Sequence, residues 1–137
     1  IVLSFHGMPR RTLDLGDPYH CQCQKTARLL REAMGMTAEQ MPIAFQSLFG
    51  RAEWLKPYTQ PLLEEMAGAG CRKVAVLMPG FSADCIETLE EIAEEARDAF
   101  LEKGGTHYAA LPCLNISDEG MAMLKTILGE ALSGWTA

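Results

Sequence analysis

The alternation of short β-rich runs with helical stretches is the feature of this sequence that most limits its fold. Apolar runs typical of strands occupy residues 1–5, 41–49, 73–78 and 107–111. Helical patterns occupy residues 17–35, 62–69, 84–103 and 118–132. Strands that alternate with helices in this way form βαβ units with a parallel sheet. We therefore predict an α/β fold, a three-layer domain of Rossmann-like or flavodoxin-like type whose parallel four-stranded sheet is flanked by helices.

The length of 137 residues predicts one domain, and a hydrophobic content of 48% is enough for a core of ordinary size. The net charge of -6 argues against nucleic acid as a partner, because phosphate binding needs clustered Lys and Arg. No apolar run approaches the roughly 20 residues of a membrane-spanning helix. The chain starts in mid-strand and without methionine, so we expect that it was cut from a longer protein.

The cysteines, at positions 21, 23, 71, 85 and 113, are odd in number and follow no secretory signal. This pattern favours reduced thiols and a cytoplasmic location. We interpret the cysteines as small hydrophobic side chains, buried or half-buried, and not as metal ligands.

Polar residues follow three of the predicted strands at the point where each strand ends. His6 follows the first strand, Gln46 and Ser47 lie at the end of the second, and residues 81–87 follow the third. Ligand sites in parallel sheets lie at the carboxyl ends of the strands. The sequence therefore predicts a site at this edge of the sheet.

Three glutamates, here called the acidic row, follow the third strand at helical spacing: Glu87, Glu91 and Glu95. Residues four apart share one face of a helix, and like charges there destabilise it by a few tenths of a kcal/mol per pair. A chain that keeps such a row has a use for it, and carrying a cation is one use.

Two simpler interpretations compete with a cation-carrying row. Asp84 and Glu87 have the spacing of a capping box, and any row of carboxylates can be a solvated face. An apolar stripe on the same helix predicts a core side that lies roughly opposite the acidic row: Leu89, Ile92, Ala93, Ala96 and Phe100.

Six segments together resemble the ferrochelatase family in order and spacing. They are SFHGMP at 4–9, GDPY at 16–19, FQS at 45–47, WLKPYT at 54–59, PGFSADCIETLEE at 79–91 and PCLN at 112–115. The resemblance covers nearly the whole chain and implies the carboxy-terminal half-domain (residues 1–137) of a bacterial enzyme that inserts ferrous iron into a porphyrin during haem biosynthesis. In this family two similar Rossmann-like halves enclose the porphyrin, so the amino-terminal half would be a missing partner.

The resemblance also implies roles for individual residues. His6 and Glu87 would be catalytic and would face the porphyrin centre from opposite sides, and both would contact the metal. Glu91 and Glu95 would continue from Glu87 as a path for metal or protons. Asp84 would orient His6. The residues expected to contact the porphyrin are Met8, Tyr19, Ser47, Trp54 and Phe81.

The chemistry of these residue types suits that reaction. Two pyrrole N–H protons must leave as the cation enters, and an imidazole with a pKa of about 6.5 is a natural base. Imidazole and carboxylate also bind divalent iron. We expect iron as a substrate and no resident cofactor. An iron–sulfur cluster is not expected, because the cysteine-bearing tail of some relatives is absent.

Several points stay open. The family's usual proline is missing after Gly50, where Arg51 stands instead. The choice between protoporphyrin and coproporphyrin depends on the missing half. Peripheral contact with the inner membrane is compatible with a cytoplasmic location. Two other functions remain as alternatives: a related chelatase that inserts cobalt or iron into a more reduced tetrapyrrole, and a non-catalytic module that binds tetrapyrrole or metal.

Overall fold

A computed structural model describes residues 1–135 as a three-layer α/β domain. Its central sheet is parallel throughout and has the strand order β2-β1-β3-β4. The strands are β1 (Val2–His6), β2 (Ile43–Gln46), β3 (Lys73–Leu77) and β4 (His107–Ala110). The predicted α/β class and the parallel four-stranded sheet are both confirmed.

Helices precede or follow the strands as the sequence pattern indicates. They are α1 (Arg10–Asp14), α2 (Tyr19–Met34), α3 (Thr59–Gly68), a π-helix (Glu87–Ala96) that continues as α4 (Arg97–Glu102), and α5 (Asp118–Ala131). Within residues 1–135 none of these helices has both the length and the apolar character needed to cross a membrane.

The sheet separates two apolar cores, since side chains alternate between its faces. On one face Val2 and Val76 pack with α3, the π-helix and α4. On the other face Leu3 and Phe5 pack with α1 and α2. Helices on both faces give the three layers and leave the carboxyl edge of the sheet free for a site.

Several element boundaries differ from the sequence prediction, and α3, for example, begins at Thr59 rather than at residue 62. Strand β2 ends at Gln46 rather than at residue 49, because Ser47 has a φ of 64° and turns the chain out of the sheet. The segment between the first predicted strand and the helix predicted at residues 17–35 contains the short helix α1, which begins directly after Pro9. A single turn of five residues leaves little periodic pattern in a sequence.

The helix that carries the acidic row differs more. Its first ten residues are bonded from residue i to i+5, so it has more residues per turn than an α-helix. Its buried side chains recur every four residues, at Thr88, Ile92 and Ala96. Leu89, predicted to be in the core, is 56% exposed. Each glutamate of the acidic row comes one residue before a buried position, so the row lies beside the core face of the helix. The prediction that the row lies opposite the core was therefore wrong.

Candidate active site

A cleft of about 510 Å³ lies at the carboxyl edge of the sheet, between the end of β2 and the π-helix. Its walls combine an imidazole, a row of carboxylates, an indole and exposed apolar side chains. The lining residues are His6, Ser47, Leu48, Phe49, Trp54, Gln60, Ile86, Glu87, Glu90, Glu91 and Glu95. The structure thus brings His6 and the complete acidic row into one cleft.

The His6 ring is half-buried and held in a defined tautomer. Its Nδ1 lies 2.7 Å from the carbonyl oxygen of Gly7, and because a carbonyl only accepts, Nδ1 carries the proton. The other ring nitrogen, Nε2, is then a free lone pair in the neutral imidazole. The rings of Trp54 and Phe81 are its aromatic neighbours, with centroids 6.4 and 6.3 Å from that of His6.

Glu87 lies in the first turn of the π-helix and lines the same cleft as His6. The side chain of Cys85 lowers the pKa of Glu87 by hydrogen bonding, and the backbone N–H of Glu87 and the nearby charge of His6 lower it further. Glu87 is therefore ionised at neutral pH and lies within electrostatic range of the imidazole.

Glu91, the middle carboxylate of the acidic row, is held by both donors of Ser47. The Ser47 backbone N–H donates to one carboxylate oxygen at 2.6 Å, and its hydroxyl lies 2.8 Å from the other. The left-handed backbone of Ser47 turns both donors toward the helix. Glu91 is thus fixed in orientation, whereas Glu95 is exposed at the far end of the row.

Three residues expected to contact the substrate lie outside the lining of this cleft. The Tyr19 hydroxyl donates to the backbone carbonyl of His6 at 2.8 Å, and burial raises the pKa of Tyr19. Met8 packs on the α2 face of the sheet. Phe81 packs partly on the opposite core and lines a second, apolar groove beside α2. Tyr19 therefore supports the end of β1 from behind.

Asp84 lies at the joint between the π-helix that carries the acidic row, here called the acidic helix, and the segment after β4. Its carboxylate accepts from the Cys113 N–H at 3.2 Å and from the Asn115 amide at 2.7 Å. The Thr88 hydroxyl lies 3.1 Å from the same carboxylate. In residues 1–135 no hydrogen bond joins Asp84 to His6, and Asp84 makes no cap hydrogen bond to the helix. The structure brings Asp84 to this joint and not to the histidine.

Sequence reasoning left Gln46 unassigned, although it has a central place in the site. Gln46 is 3% exposed and its side-chain amide donates to the backbone carbonyl of Glu87 at 2.8 Å. The sequence did carry a signal for Gln46: it is a polar residue at the end of a buried strand, and it precedes Ser47, which was expected to contact the porphyrin. Of the other unassigned lining residues, Leu48, Phe49 and Ile86 are exposed apolar side chains, and Gln60 and Glu90 are exposed polar ones.

Within residues 1–135 the cysteines and the acidic side chains form no ready metal site. Cys23 and Cys113 are buried, and burial raises the pKa of Cys113 to about 12. Cys71 and Cys85 are half-buried, but Cys21 is exposed, so the prediction for the cysteines fails at that position. In the part of the chain that the structure describes, no three His, Cys, Asp or Glu side chains converge as a group that could hold a metal ion.

A parallel α/β sheet with an imidazole and a row of carboxylates in one cleft at its carboxyl edge defines a chelatase-like domain. The sequence model of the family described as Ferrochelatase matches residues 1–132, so the chain belongs to the ferrochelatase family. The chain is 56% identical over 135 residues to the ferrochelatase of Methylibium petroleiphilum. That match covers 98% of this chain but only 37% of the relative's length.

Proposed function

We propose that the protein to which this sequence belongs inserts ferrous iron into a porphyrin during haem biosynthesis. The observation that carries the proposal is the common cleft of His6, Glu87, Glu91 and Glu95. Family membership supports it. The 37% coverage of the relative makes the activity, the substrates and the partner half matters of proposal rather than of observation.

His6 has the geometry of a base for metallation. Two pyrrole N–H bonds must break as the iron binds the four ring nitrogens, and both protons must leave the macrocycle. With its Nδ1 proton committed to Gly7, the imidazole offers Nε2 to accept a proton or to contact the metal. Glu87, ionised in the same cleft, would stabilise the imidazolium that results.

The acidic row suits an ion in transit better than an ion held in place. Carboxylate oxygens are hard ligands for a hydrated divalent cation. Among the described residues the row does not close into a three-ligand group, so each carboxylate would hold the ion loosely. Glu91, fixed by Ser47, would keep its charge directed along the row between Glu87 and Glu95.

The remaining wall offers surface for a flat, apolar ligand. Phe49 is 83% exposed and Ile86 is 66% exposed at the border of the cleft, and the Trp54 indole lies beside His6. The indole N–H of Trp54 is buried without a hydrogen-bond partner in residues 1–135. Aromatic and apolar groups with a few polar atoms are the usual lining of such a pocket.

Several finer points belong to this proposal. The partner half would supply the opposite wall and the selection between protoporphyrin and coproporphyrin. We expect a cytoplasmic enzyme, in which contact with the inner membrane surface is compatible with the site. We expect no resident cofactor and no iron–sulfur cluster.

The test is metal insertion by the protein at its full natural length, supplied with each porphyrin and with ferrous or zinc ion under reducing conditions. We expect metalloporphyrin to form, and we expect His6→Ala to lower kcat by at least about a hundredfold because an acid–base group is lost. His20→Ala is the matched control, since His20 lies outside the cleft lining. Spectral binding of porphyrin without turnover would instead support the non-catalytic module.

A further inference from the structure

A chain of buried polar side chains runs from the sheet to the first turn of the acidic helix. Ser4 donates to the side-chain oxygen of Gln46 at 2.7 Å, so the Thr59 hydroxyl, also at 2.7 Å from Ser4, is the donor to Ser4. Gln46 then donates to the Glu87 carbonyl at 2.8 Å. Ser4, Gln46 and Thr59 are at most 3% exposed. Groups buried this deeply destabilise the fold unless they are bonded.

Gln46 is the residue of this hydrogen-bonded series that contacts both the histidine side and the carboxylate side of the candidate site. In the parallel register of β1 and β2 it lies opposite His6, and its backbone carbonyl accepts from the Gly7 N–H at 2.8 Å. Its side chain reaches the residue that begins the acidic row. The backbone of Gln46 is therefore tied to the histidine segment and its side chain to the carboxylate segment.

The amide group of Gln46 is suited to this place because its two ends meet different partners. The oxygen faces a hydroxyl that donates, and the nitrogen faces a carbonyl that can only accept. Neither an apolar residue nor a carboxylate can satisfy both. Ser47, the next residue, binds Glu91, so consecutive residues at the end of β2 contact two successive members of the acidic row.

We propose that Gln46 is a positioning residue that sets the distance between His6 and Glu87 in the cleft. This inference rests on the proposed function, in which those two side chains act on one macrocycle. A buried amide that only completes the core would contribute to stability alone. A positioning residue must affect turnover beyond what the loss of stability explains.

The test compares Gln46→Met with Thr59→Val in the protein at its full natural length. Gln46→Met keeps the length of the side chain and removes the bond to Glu87. Thr59→Val removes a hydroxyl from the same buried hydrogen-bonded series, but in the described residues Thr59 makes no hydrogen bond to the acidic helix. We expect both variants to lower Tm, and only Gln46→Met to lower kcat, by at least about tenfold, with a smaller change in the KM for metal.

A second variant and a second measurement keep the inference testable if Gln46→Met does not fold. Gln46→Glu keeps the acceptor for Ser4, but an ionised carboxylate cannot donate to the Glu87 carbonyl, so we expect the same loss of kcat. Hydrogen exchange of amides 87–92 should be about fivefold faster in either Gln46 variant, as expected for one lost hydrogen bond, and unchanged in Thr59→Val.

Each outcome separates this inference from the proposed function. If the unmodified protein inserts no metal, the proposed function fails, and the exchange rates alone judge whether Gln46 holds the helix. If the unmodified protein is active and the Gln46 variants keep a normal kcat, the positioning role is overturned. Equal losses of kcat in Gln46→Met and Thr59→Val would overturn it too, because a general loss of core stability would then explain both.

Discussion

Glu87 is the residue on which the proposed chemistry depends most, and two roles for it can be separated. In residues 1–135 the acidic helix has no side-chain cap hydrogen bond, so the capping box that the spacing of Asp84 and Glu87 offered as an alternative does not form. The position of Glu87 in the first turn was predictable from spacing. The lowered pKa was not, because the thiol of Cys85 that contributes most to it lies on a part of the chain with irregular structure.

Glu87→Gln keeps the shape of the side chain and removes its charge, and we expect metal insertion to collapse while Tm barely changes. In the proposed function the charge serves the imidazole and the metal, and the Glu87 side chain is not part of the buried core. Glu94→Gln is the matched control on the same helix, since Glu94 is exposed and outside the cleft lining. Paired measurements of kcat and Tm decide it, and normal insertion by Glu87→Gln would remove the catalytic role.

Gly7 shows why the histidine motif needs a residue without a side chain. A Cβ at this position would lie 2.7 Å from the Gln46 carbonyl oxygen and 3.0 Å from the Trp54 ring. We expect Gly7→Ala to lower the free energy of unfolding by about 1–3 kcal/mol, as overpacking does. Gly68→Ala, where nothing lies within 4 Å, should instead be neutral or slightly stabilising. Denaturant unfolding of both variants measures the difference, and equal stabilities would contradict it.

The strands and most helices followed directly from the sequence, but the winding of the acidic helix did not. Alternating β-rich and helical patterns determine a parallel sheet, and glycine in the left-handed conformation after Met34 ends α2 where the sequence predicts. A π-helix, by contrast, differs from an α-helix in its hydrogen bonds and not in composition. The exposed apolar side chain of Leu89 indicates the altered winding, but only when it is compared with the buried positions at every fourth residue.

The joint between the acidic helix and the segment after β4 makes a prediction about acid stability. Hydrogen bonds from Asn115, and then from Cys113 and Thr88, hold the pKa of Asp84 below its usual range. A depressed folded pKa adds stability above the unfolded pKa of about 3.9, and that stability is lost as the pH falls through the folded value. We therefore expect Asp84→Asn to lower Tm at neutral pH, with the difference from the unmodified protein shrinking below about pH 4.

Thermal unfolding from about pH 3 to pH 7 measures this dependence. Asp98→Asn is the control, because Asp98 makes only an exposed ion pair with Arg97, and such pairs contribute about 0–1 kcal/mol. A constant difference in Tm between Asp84→Asn and the unmodified protein at every pH would show that the charge of Asp84 is not what holds the joint.

The molecule as a whole presents apolar surface that its own described residues leave uncovered. On α5 only Gly120 is buried, and large apolar side chains such as Ile127 and Leu128 are more than half exposed. A second apolar groove of about 530 Å³ lies beside α2. Isolated domains rarely expose so much apolar surface without a use for it.

We expect the 137 residues alone to have little or no chelatase activity. In the proposed function the partner half supplies the opposite wall of the cleft, and the chain spans 37% of the ferrochelatase it matches. Mixing the isolated chain with porphyrin and zinc ion, beside the protein at its full natural length, measures the difference. Turnover by the isolated chain equal to that of the full-length protein would show that one wall is sufficient.

The spacing of the acidic row also determines where its electric field lies. In an α-helix each glutamate four residues on is rotated by about 40° relative to the one before, so a row of three winds partly around the helix. Here all three glutamates line the same cleft, and none is carried to another face of the molecule. The negative potential of the row is therefore concentrated along one cleft, and in the proposed function a cation would exchange one carboxylate for the next without leaving it.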